Sequence, residues 1–170
     1  KSDYALAHSN RGLLLHTLKR YPEALASLGE AIKIDPFSSK AFSTRGNVLK
    51  KMNRLDEALT SFDKAIELNP KSVEAHTFKG VLCNQMGRFE EALALQDKAI
   101  SIDPDYSQAY NNRGEALIDL DLVDEAIKSF DKAISIQPDY AEALLNKGLV
   151  TLRENISIQG FDLYEWRHKT

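Results

Sequence analysis

The chain has 170 residues, 22 Lys plus Arg against 25 Asp plus Glu, and a formal net charge of −3. Apolar residues make up 43% and charged residues 28%, close to globular averages, which excludes a disordered, collagen-like or disulfide-stapled chain. The weak net charge argues against a dedicated nucleic-acid binder or a polybasic membrane surface, and no apolar run approaches the ~20 residues of a transmembrane helix.

The opening Lys1-Ser2-Asp3-Tyr4 is neither a signal peptide nor a Met start, so the chain is expected to be a piece of a longer one. From residue 5 onward the placement of small residues and proline is periodic. Pro36, Pro70, Pro104 and Pro138 lie 34 residues apart, as do Gly12, Gly46, Gly80, Gly114 and Gly148. Two alanine columns keep the same register, Ala24/Ala58/Ala92/Ala126 and Ala31/Ala65/Ala99/Ala133, with Leu28, Phe62, Gln96 and Phe130 between them. Repeats are therefore expected at 5–38, 39–72, 73–106, 107–140 and 141–170, within a single domain spanning 1–170.

Each repeat reads as two helices. In the first, Pro22 suits the first turn of a second helix and Pro36 ends it. In the second, Ser39 is an expected N-cap, and Ala41, Phe42, Val48, Leu49 and Met52 recur at helical spacing. Met52-Asn53-Arg54 forms a turn, and Asp56-Glu57 opens the next helix, as the helix dipole favours. The third repeat repeats this plan with Ser72, Met86-Gly87-Arg88 and Glu90-Glu91, the fourth with Ser107, Leu120-Asp121-Leu122 and Asp124-Glu125. The fifth departs from it. Thr151 stands where a large residue is expected, and a second helix is expected at 156–167, with Gly160 at the small position and Tyr164 at the large one. The glycine and alanine columns let the two helices of a pair approach closely.

These columns, Gly12, Ala24, Ala31, Pro36 and their copies, resemble the tetratricopeptide repeat (TPR) family, whose period is 34 residues. The resemblance implies an all-α, right-handed superhelical solenoid of five antiparallel helix pairs, the last atypical and capping. It also implies first helices on a concave face and recognition of an extended peptide or partner segment in that groove. Helical spacing puts Leu6, Ser9, Asn10, Leu13 and His16 on that face in the first repeat, and Lys40, Ser43, Thr44, Asn47 and Lys51 in the second. Glu74, Thr77, Phe78, Val81 and Gln85 follow in the third, and Gln108, Asn111, Asn112, Glu115 and Asp119 in the fourth; the fifth offers Glu142, Leu145, Asn146, Leu149 and Arg153. The candidate peptide-binding residues are Asn10, Thr44, Asn47, Phe78, Asn111, Asn112 and Asn146. Within this set Asn10, Thr44, Phe78, Asn112 and Asn146 form one column, and its three amides resemble the asparagine ladder of O-linked N-acetylglucosamine transferases. The family's carboxylate clamp is not expected, because the corresponding positions lack its basic residues.

Two further columns carry expectations. Arg11, Arg45, Lys79, Arg113 and Lys147 precede the glycines. They read either as a positive stripe for a ligand or as stems packed between helices, with heads paired to Asp63, Asp97 and Asp131. The run from Gly160 to Arg167 resembles a segment that closes TPR arrays in bacterial proteins continuing into a glycosyltransferase-like domain. The alternative function is therefore the substrate-docking region of a bacterial protein glycosyltransferase whose catalytic domain follows residue 170.

No catalytic set, metal set or cofactor motif is present. His8 and His76 sit two repeats apart, and Cys83 occupies a core position. A non-enzymatic module is expected, cytoplasmic, with a protein or peptide partner and neither nucleic acid nor membrane. Self-association through exposed array ends is a third expectation.

Overall fold

A computed structural model describes the backbone of residues 2–168 and the side chains of 3–154. Among the described residues all regular structure is helical, and none of the helices is long and apolar enough to cross a membrane. The chain divides into two compact units, Lys1–Pro104 and Asp105–Thr170. The first holds α1 (Ser2–Thr17), α2 (Tyr21–Ile34), α3 (Ser39–Lys51), α4 (Leu55–Leu68), α5 (Val73–Gln85) and α6 (Phe89–Ile102). The second holds α7 (Ser107–Asp119), α8 (Val123–Ile136) and α9 (Ala141–His168). The architecture is an all-α helical repeat array.

Helix pairs α1/α2, α3/α4, α5/α6 and α7/α8 each close on the same turn. Lys19, Asn53, Gly87 and Asp121 hold φ of 58°, 59°, 74° and 60°. Around Asn53 the hydrogen bonds are those of a Schellman motif, Asn53 N–H to the Lys50 carbonyl (3.0 Å) and Arg54 N–H to the Leu49 carbonyl (2.9 Å). The second helices end at Asp35, Asn69, Asp103 and Gln137, whose N–H groups donate to Ala31, Ala65, Ala99 and Ala133. A proline follows each and stops the helix. Ser72 caps α5 as expected, but the cap of α3 is Ser38, and that of α7 is Tyr106, without a side-chain bond. Ser39 and Ser107 are the first residues of their helices and reach the second helix, or the end, of their own repeats. Ser39 Oγ donates to the Ala65 carbonyl at 2.8 Å, and Ser107 Oγ bonds Gln137 Oε1 at 3.0 Å.

The core of each pair is built on close approach. Both alanine columns are buried, and so are Leu28, Phe62, Gln96 and Phe130. A Cβ placed on Gly12 would stand 2.6 Å from Leu28 Cγ, and one on Gly46 2.7 Å from the Phe62 ring. Only glycine admits the large side chain of the second helix at this crossing.

A fifth helix pair is not formed, since α9 runs unbroken for 28 residues. Its first half packs on α7 and α8 and buries Ala143 and Val150. The four second helices carry Glu23, Asp56/Glu57, Glu90/Glu91 or Asp124/Glu125 in their first turns. The fifth repeat has Ile158 and Gln159 at the corresponding sites, so the charge that favours starting a new helix is missing. The expected side-chain positions of Gly160 and Tyr164, and the 160–167 resemblance, lie outside the described residues.

Candidate functional site

In the first unit α1, α3 and α5 stand side by side and enclose a groove of about 520 Å³. Leu13 and His16 come from α1, Lys40, Ser43, Thr44 and Asn47 from α3, and Glu74 and Phe78 from α5. Each of these was placed on this face by helical spacing. Ser39, Asn69 and Ser72 also line it, brought in by the junction between α4 and α5 and the start of α3. No periodicity within the first helices could reveal those three.

The groove mixes apolar contact with unspent polar capacity. Leu13 is 41% exposed. Phe78 is half-buried and rests on Phe62, with ring centroids 6.4 Å apart. Thr44 is nearly buried, and its hydroxyl donates back to the Lys40 carbonyl at 2.9 Å. Asn47 is half-buried and makes no side-chain hydrogen bond among the described residues. Burial, Lys51 and Lys50 hold the His16 imidazole below its ordinary pKa, and its ring lies 6.0 Å from Tyr21. Burial and then Lys51 likewise lower Lys50. Asn10 is exposed on α1 outside the groove lining.

Thr77 differs from its expected groove position. It is fully buried against α6, where its carbonyl accepts from Gln96 Nε2 at 3.1 Å.

In the second unit two of the predicted amides meet at a carboxylate. Asn146 Nδ2 donates to Asn111 Oδ1 (3.1 Å) and to Glu115 Oε1 (3.0 Å), and Asn111 Nδ2 donates to the same carboxylate at 3.0 Å. Asn111 is completely buried. Burial and then the neighbouring Glu142 raise the Glu115 pKa, with the two amides opposing them. Asn112 is half-buried, and its Nδ2 has no partner among the described residues.

The basic column pairs inward where its partners are described. Lys79 Nζ lies 2.8 Å from Asp63 and 3.4 Å from Glu91, and Lys147 Nζ 2.6 Å from Asp131. Arg113 donates to Ser129 Oγ at 2.7 Å. Among the described residues no group of three His, Cys, Asp or Glu side chains is placed to hold a metal.

Family models of the tetratricopeptide repeat match residues 43–107, and 5–38 and 107–140. The chain belongs to the tetratricopeptide-repeat family. No curated protein matches this TPR chain. It is similar to the solved structure of pilF from Pseudomonas aeruginosa, at 19% identity over 96% of this chain and 74% of that one, with a TM-score of 0.85. MamA 41-end from Desulfovibrio magneticus RS-1 gives 20% identity over 96% and 92%, with a TM-score of 0.77. The first TPR of Spaghetti (RPAP3), bound to the HSP90 peptide SRMEEVD, gives 21% identity over 69% and 93%, with a TM-score of 0.66. These likenesses concern the fold.

Proposed function

We propose that this TPR chain is a protein-interaction module whose first unit holds an extended segment of a partner in the groove over α1, α3 and α5. The observation that supports this most directly is the groove itself, where Leu13 and Phe78 offer apolar contact beside the unspent amide of Asn47. An amide both donates and accepts, so Asn47 suits a peptide backbone rather than one side chain. Lys40 and Glu74 put charges of both signs on the walls. Asn10 would meet the same segment beyond the groove, while Asn112 would serve in the second unit. Asn146 contributes less than an open ladder position would, because its amide is engaged by Asn111 and Glu115.

Fluorescence anisotropy against a peptide array tests this reading. Leu13→Glu combined with Asn47→Ala is expected to weaken the best-bound peptides by about 10-fold or more, with helicity unchanged, since both positions are accessible. Equal affinity of variant and parent across the array would overturn it.

A further inference from the structure

Gly148 is the fifth member of the glycine column, and it alone of the five has an empty crossing. Leu28, Phe62, Gln96 and Phe130 fill the crossings at Gly12, Gly46, Gly80 and Gly114. Among the described residues a Cβ on Gly148 would meet nothing within 4 Å. Beside this vacancy Leu145, Leu149 and Leu152 are 61%, 58% and 56% exposed. They follow one another at helical spacing, so they form one apolar face on α9.

In each filled crossing the large residue lies 16 positions after its glycine, as Phe62 does after Gly46. The residue 16 positions after Gly148 is Tyr164, and Gly160 before it fits the alanine position. Residues 157–168 therefore carry the register of a second helix. Yet α9 is continuous to His168. At ~1.5 Å rise per residue, residue 164 stands about 24 Å along the axis from residue 148, so the segment does not reach its own vacancy.

We propose that residues 157–168 of a second copy of this chain complete the fifth repeat, in a reciprocal exchange of second helices between two α9 helices. A second copy presents both the matching vacancy and the matching segment, so one two-fold contact satisfies both and closes. The apolar face then leaves water, which drives the association. This interface is separate from the groove of the first unit.

Sedimentation equilibrium, read with a distance measurement, tests the exchange. The parent chain is expected to be a dimer at about 100 μM and to dissociate on dilution. At Gly148 an added Cβ meets no described residue, so Gly148→Leu is expected to fill the vacancy, fold normally and remain monomeric. Spin labels at residues 142 and 168 of one chain, diluted with unlabelled chain, are expected to lie about 40 Å apart, the length of a straight helix. A parent chain that stays monomeric at every concentration overturns the proposal. So does a dimer indifferent to Gly148→Leu, and so does a short intrachain distance, which would mean that the segment folds back on its own glycine.

Discussion

Gln96 Nε2 donates to the Thr77 carbonyl at 3.1 Å across the α5/α6 crossing, where Phe62 and Phe130 fill the same position of their own pairs with a ring. The exchange of a ring for an amide leaves two buried oxygens, Gln96 Oε1 and Thr77 Oγ1, without a partner among the described residues. A buried, unpaired polar group costs about 1–3 kcal/mol. The third repeat is therefore the weakest crossing of the first unit.

Gln96→Leu is expected to raise stability by about 1 kcal/mol, because Leu28 shows that an aliphatic side chain fills this crossing. Cys83 provides a local probe. It is buried in α5, and burial, followed by Glu91, pushes its pKa up to about 11. Its labelling by a thiol reagent is expected to be slow in the parent and slower in the variant. Faster labelling in Gln96→Leu would refute the account.

The four filled glycine crossings predict a second asymmetry. Gly46→Leu places its side chain against the Phe62 ring and is expected to destabilise the first unit by about 1–3 kcal/mol, or to prevent it from folding. Gly148→Leu is expected to cost nothing and to gain slightly in helix propensity. Thermal melts at a concentration low enough for the parent to be monomeric should place the two variants on opposite sides of the parent.

Lys19 occupies the left-handed turn position that Asn53, Gly87 and Asp121 share. A side chain without a local hydrogen bond is strained there by about 1–2 kcal/mol. Lys19→Gly removes the strain but frees the unfolded chain, so the expected net gain is about 0.5–1 kcal/mol. Differential scanning calorimetry should register it as a rise of about 1–4 °C. A lower melting temperature would show that Lys19 is held by something other than its backbone.

Glu115 gives a prediction with a definite sign in pH. Its folded pKa lies above the ordinary value of 4.5, raised by burial and by Glu142. The native state therefore holds this proton more tightly than the unfolded state does. Stability from this group is greatest below pH ~4.5 and falls as pH rises through the folded pKa. Glu115→Gln keeps an oxygen for the Asn111 and Asn146 amides and removes the charge. The variant is expected to be more stable than the parent at pH 7 and indistinguishable from it at pH 3, by urea denaturation. An equal gain at both values would point to packing rather than charge.

How much of the groove was legible follows from how its residues are supplied. Leu13, Thr44, Asn47 and Phe78 come from helix faces, and a period of 3.6 residues projects such faces from sequence alone. Ser39, Asn69 and Ser72 come from junctions, where a shift of one residue decides whether a serine caps a helix or reaches across to its neighbour. Helical spacing misplaces Thr77 because it lies at the border between the two faces, and its copies Ser9, Ser43 and Asn111 are buried as well.

The sequence by itself determined the repeat. Glycine, alanine and proline at a fixed spacing admit only close-packed helix pairs with fixed ends, because each column acts through its own backbone or volume. The tertiary structure decided what each copy of a column meets. Gly46 and Gly148 are the same residue in the same register, yet one lies against Phe62 and the other against no described residue. Asn47 and Asn146 are both amides on first helices, yet only the first is unspent. A neighbour's presence depends on where the chain turns, and within α9, at Ile158 and Gln159, the acidic residues that open the other second helices are missing.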